Sequence, residues 1–144
     1  MLFSFTIFAD TLQVGSTLST IELNSQHGKS VKVANDVKTL IFSVEKTPSQ
    51  LINNFLMKQD TKFLANHKAY FIVDISGMPS LITKMFAIPK LKKHPYDILL
   101  AKNGKQVAFI PRKKNFVSVL KIASGKITAI QFVNNADQLA KAFK

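Results

Sequence analysis

The 144-residue chain has no cysteine, no tryptophan, two tyrosines, five glycines and eight acidic residues. Without cysteine there is no disulfide, no thiolate nucleophile, no iron–sulfur cluster and no cysteine-ligated zinc. Compartment stays open, since a chain without thiols is indifferent to redox conditions. The glycines, at 15, 28, 77, 104 and 125, are too scattered for a phosphate-cradling G-x-G-x-x-G loop. Arginine is nearly absent too: of twenty basic residues only Arg112 is one. Base-edge and bidentate phosphate recognition lean on the planar guanidinium, so there is no signal for sequence-specific nucleic-acid reading. No run of residues is long and apolar enough to span a bilayer as a helix.

What is present suits a folded domain. Hydrophobic residues make up 47% and charged ones 19%, with twelve phenylalanines to fill a core. The formal charge is +12, and it is concentrated: residues 84–126 hold eleven Lys/Arg and one acid, Asp97. A field of that sign attracts polyanions and anionic surfaces; equally, it reads as a solvated rim or a bias of the source genome. Residues 1–9, Met1 to Ala9, are apolar and uncharged. They read either as the remnant of a secretory signal or as a first strand, ahead of one domain over 10–144.

Along the chain, 12–35 reads as extended chain with a hairpin turning at Asn24–Lys29, where Gly28 supplies a positive φ. Leu40–Val44 is a short apolar run suited to a strand buried on both faces. Thr47 as N-cap and Pro48 at the first helical position open a helix with an apolar stripe of Leu51, Ile52, Phe55 and Leu56. Ala69–Ile75 is a second strand, and Pro79 opens a second helix whose inner face is expected to be Leu81, Ile82, Met85 and Phe86. Strand–helix–strand–helix implies parallel pairing. Asp97–Ala101 and Gln106–Ile110 flank Asn103-Gly104, a strong hairpin signal. Phe116–Ile122 and Ile127–Val133 form a further pair across Ser124-Gly125. Asn134 or Asn135 then caps a last helix with Ala136, Leu139, Ala140 and Phe143 inward.

This order resembles the thioredoxin-like fold: an α/β domain with a central mixed sheet, an N-terminal β-hairpin, flanking helices and an additional C-terminal strand pair. Gly15–Leu23, His27-Gly28-Lys29 and the strand 39–44 resemble the opening of peroxiredoxins and membrane-anchored thioredoxins. Asp74-Ile75-Ser76-Gly77-Met78-Pro79, Phe86-Ala87-Ile88-Pro89-Lys90 and Pro95-Tyr96 also resemble a family of small bacterial proteins, some with a flavin-dehydrogenase label that no residue here supports. The resemblance puts Pro95 where thioredoxins carry a cis-proline, with Pro79 as a weaker candidate. It puts Thr47 and Gln50 where their cysteines stand. An aliphatic hydroxyl is not ionised by a helix dipole at neutral pH, so dithiol exchange and peroxide reduction are both excluded.

Three functional readings follow. The first is an exported, redox-inactive binding or accessory module that holds a protein or an extended peptide. Its groove would comprise Lys46, Thr47, Pro48, Ser49, Gln50, His94, Pro95 and Tyr96. The second is a polyanion or membrane-surface binder using Lys90, Lys92, Lys93, Arg112, Lys113 and Lys114, clusters that the expected 97–110 hairpin would bring together. The third is an enzyme with a non-thiol site near Ser76, although Asp74 reads better as a turn-former. No cofactor or metal is expected, because His27, His67 and His94 lie far apart. A cytoplasmic location is the alternative to export.

Overall fold

The structure, a computed structural model, describes residues 11–144; the reading of 1–9 therefore lies outside the described residues. The hairpin forms as expected, β1 (Glu22–Ser25) against β2 (Ser30–Lys32), with Gly28 at φ +77° in its turn. β3 (Thr39–Ser43) is buried along its whole length, as the apolar run requires. It leads into α1 (Lys46–Met57), then α2 (Phe63–Asn66) and β4 (Ala69–Asp74). A composite helix follows: α3 (Ser80–Ile82), a π-turn (Thr83–Ala87) and α4 (Ile88–Leu91). β5 (Ile98–Ala101), β6 (Val117–Ala123), β7 (Lys126–Val133) and α5 (Ala136–Lys141) complete the chain.

The seven strands form one sheet in the order β2-β1-β5-β4-β3-β6-β7. The central β5, β4 and β3 are parallel, and the flanking pairs are antiparallel. One face packs on α1, α2 and α5 and on Ile88 and Leu91 of α4, around Ile41, Phe71, Ile98 and Val119. The other is covered by the segments on either side of the hairpin, through Leu12, Ile21, Val33 and Val37, and by Val107–Ile110, around Leu40, Phe42, Ile72 and Leu99. Alternate residues of each central strand feed the two cores, as the two-residue pleat dictates.

Four sequence expectations are corrected. Asn103-Gly104 is not a hairpin turn: β5 already has β4 on one edge and β1 on the other, so residues 106–110 find no edge to pair with. Asn103 instead caps a 3₁₀ turn (Gly104–Gln106): its side chain accepts from the Lys105 N–H, and its backbone N–H donates to the Gln106 side chain. At α1 the N-cap is Glu45, with Thr47 and Pro48 inside the first turn. Pro79 stands just before the 80–91 helix rather than at its first position. At α5 the cap is Asn135, which accepts from the Gln138 N–H, but Ala136 is exposed and Ala142 takes an inward place.

Candidate docking surface

The turn from β3 into α1 lies at the carboxyl ends of the parallel strands, the usual ligand end of an α/β sheet. Among the described residues no side chain caps the start of α1. The Glu45 carboxylate accepts the Asn115 N–H at 3.0 Å, tying the turn to the loop that precedes β6. The Ser49 hydroxyl lies 2.8 Å from the Glu45 carbonyl and 2.8 Å from the Ser43 hydroxyl, and is spent inside the turn. Pro48 is buried, while Lys46, Thr47 and Gln50 are exposed. Of its own residues 46–50, the turn exposes one cation, one hydroxyl and one amide.

His94, Pro95 and Tyr96 are not part of it. They precede β5, at the amino ends of the same strands. Pro95 and Tyr96 line a separate cleft of about 490 Å³ with Tyr70, Asp97 and the ion-paired Lys68 and Asp36. The Tyr96 hydroxyl reaches the Asn53 side-chain oxygen at 2.6 Å, midway along α1, and burial pushes that phenol's pKa up. His94 stacks on Tyr96 and lies 3.3 Å from the Met57 sulfur, at the far end of α1. Its pKa is lowered by burial and then by the nearby Lys90. Every peptide bond among the described residues is trans, those before Pro79 and Pro95 included. The eight groove residues are thus divided between two ends of the sheet.

The basic clusters are divided in the same way, since the hairpin that would have joined them does not form. Lys90, Lys92 and Lys93 are exposed at the close of α4, ahead of β5. Arg112 sits at the opposite end, and its donors are committed. It donates to Asp74 Oδ2 at 3.0 Å and to the Val107 carbonyl at 2.7 Å, with its guanidinium 4.8 Å from the Phe42 ring centre. Lys113 lies over Phe116 at 4.4 Å, and among the described residues Lys114 makes no such contact. Asp74 behaves as the turn-former expected, accepting the Ser76 N–H at 2.9 Å. Burial pushes its pKa up, but the bonds from Ser76 and Arg112 outweigh burial and hold it below the usual carboxylate value. With that carboxylate engaged, Ser76 has no free base beside it in Asp74.

The 80–91 helix is where the surface departs from ordinary packing. Leu81, Ile82, Met85 and Phe86, expected to face inward, are 66%, 44%, 59% and 63% exposed, and Met78 before them is 42% exposed. The residue buried instead is Thr83, whose hydroxyl donates to the Pro79 carbonyl at 3.3 Å. Ile88 and Leu91 anchor the helix to the core. Residues 81/85 and 82/86 are each one turn apart, so the four form a continuous apolar ridge. A hollow of about 100 Å³ beside it is bordered by Met78, Thr83, Lys84 and Lys102. The sequence carries a signal for this: Ala87, Ile88 and Leu91 make a second apolar stripe, and one helix can press only one stripe on the sheet.

No family model matches the chain, and no curated protein does. Solved structures do, at low identity. A putative protein disulfide isomerase from Bacteroides thetaiotaomicron superposes with a TM-score of 0.64 at 16% identity, covering 92% of this chain and 86% of that one. Peroxidoxin BcpB from Mycobacterium tuberculosis gives 0.61 at 14% identity, covering 92% and 94%. A putative thiol:disulfide interchange protein DsbE from Chlorobium tepidum gives 0.61 at 16% identity, covering 93% and 100%. The fold is thioredoxin-like, on a chain with no cysteine to serve it.

Proposed function

We propose that the chain is a redox-inactive, thioredoxin-fold accessory protein that works by docking, and that it docks through the apolar ridge of the 80–91 helix. The observation that supports this is the inversion of that helix, with Phe86 63% exposed and Thr83 6%. Exposed apolar side chains scattered singly are ordinary; a contiguous set on one helix marks an interaction surface. A sequence that breaks the inside–outside rule at one place does so most often where function demands it. Holding an extended peptide between Thr47 and Pro95 has less support, because those residues lie at different ends of the sheet. The reading includes export, supported by the signal-like run Met1–Ala9; among the described residues no helix is long and apolar enough to cross a membrane.

The test is a photo-crosslinking amino acid placed at Leu81 and, as a control, at the exposed Val14, 63% accessible on another part of the surface. Irradiation in an extract of the source cell is expected to give discrete protein or lipid adducts at 81 and none at 14. Equal or absent adducts at the two positions would overturn the reading.

A further inference from the structure

We propose that the partner of this ridge is an anionic lipid surface, on which the 80–91 helix lies in the plane of the headgroups. The inference rests on the docking reading above and names its occupant. Its first support is charge. From Ile75 to Tyr96 there is no acidic residue, while Lys84, Lys90, Lys92 and Lys93 are all exposed. Lys102 adds a fifth cation beside Lys84 at the hollow. An apolar face bordered by lysines, with no carboxylate among them, is the pattern of an interfacial helix on anionic headgroups. Lysine is well suited to such a border, because its ammonium snorkels to a headgroup while the methylene stem lies along the apolar layer.

Shape is the second support. Leu81, Ile82, Met85 and Phe86 stand out from the molecule as a ridge, which enters an acyl layer without a matching trough. The helix of twelve residues, 80–91, is at most about 18 Å long even at the full α-helical rise of 1.5 Å per residue, far short of a span. It would lie on a bilayer. Ile88 and Leu91, half-buried, stay packed against the protein core and hold its orientation. A second copy of the chain fits less well. A two-fold contact through the ridge would set Lys84, Lys90, Lys92 and Lys93 of one copy near those of the other, and like charges across an interface are penalised.

The experiment is co-sedimentation of the full chain with vesicles of pure phosphatidylcholine and of an equimolar phosphatidylcholine–phosphatidylglycerol mixture. Two variants accompany it: Leu81→Ser/Phe86→Ser, which keeps the charge, and Lys113→Glu/Lys114→Glu, which changes charge away from the ridge. Leu81 and Phe86 are solvent-facing, so their replacement leaves the core intact. The expected result is binding to the mixed vesicles, weaker by about tenfold or more on pure phosphatidylcholine, and weaker by about tenfold or more for Leu81→Ser/Phe86→Ser. The Lys113/Lys114 variant should lose less than the ridge variant. No binding to mixed vesicles, or binding that ignores the ridge variant, overturns the proposal. If the vesicle experiment fails while the crosslinker at 81 captures a discrete protein, the lipid falls and the docking surface stands. If both fail, both fall.

Discussion

α1 and the 80–91 helix carry the same kind of sequence and meet opposite fates. Each shows four large apolar residues at helical spacing: Leu51, Ile52, Phe55 and Leu56 in one, Leu81, Ile82, Met85 and Phe86 in the other. In α1, Ile52 and Leu56 are buried and Leu51 and Phe55 pack against them. In the later helix all four face solvent. α1 lies over the sheet beside α5, with Phe55 stacked on Phe143 at 5.9 Å. The later helix also has Ala87, Ile88 and Leu91, of which Ile88 and Leu91 meet the core. Periodicity identifies a stripe; which stripe is buried depends on what sheet area remains uncovered.

The largest test of that contrast is a pair of truncations. Ile52→Ala should cost about 2–5 kcal/mol, the range for removing a fully buried aliphatic side chain. Leu81→Ala should stay within about 0.5 kcal/mol, as exposed substitutions do. Denaturant midpoints measure both, and a comparable loss at Leu81 would break the comparison.

The contrast extends to charge. Arg112→Ala strands a carboxylate, Asp74, whose side chain is 6% exposed, and should cost about 1–3 kcal/mol. Lys92→Ala, at an exposed position, should change stability by less than about 0.5 kcal/mol. The Arg112–Asp74 pair also has a pH signature. Because Asp74 has a folded pKa below its ordinary 3.8, its contribution is present above that value and lost as pH falls through the folded one. In Arg112→Ala the acid-side loss of stability should shrink. An unchanged acid limb would mean that Ser76 alone holds the carboxylate.

The smallest effect lies at His94, between the end of α4 and β5. His94 meets Met57 of α1 and feels Lys90 of α4. Its folded pKa lies below the ordinary 6.5, so its neutral form is the one the fold favours. Stability should therefore fall slightly as pH drops from 6.5 through the folded value, and His94→Gln should remove that slope. Titration of the His94 ring by NMR at or above 6.5 would contradict the packing described.

Much of the fold is legible in the residues. The apolar runs 40–44 and 69–75, the turns at Gly28 and Ser124-Gly125, and a cap at Asn134 or Asn135 each state their role locally, and the structure selects Asn135. Asn103-Gly104 is different, because the same dipeptide serves a hairpin or a capped 3₁₀ turn. The choice between them is made by β1, far earlier in the chain at Glu22–Ser25, which occupies the edge that residues 106–110 would need. The site is less legible for the same reason. Lys46–Gln50 and His94–Tyr96 are separated by the direction of β5, parallel to β4, and the hairpin reading implies no such constraint. Spacing singles out the ridge residues and assigns them inward. Only the competition between two stripes on one helix reverses them.

The central claim, that the 80–91 helix keeps its apolar face in water, is tested most directly by Phe86→Trp in a chain that has no other tryptophan. In the isolated protein the account predicts the emission of a water-exposed indole, quenched by acrylamide nearly as freely as the free amino acid. A blue-shifted emission protected from quencher would show the face packed against the protein, and would contradict the account.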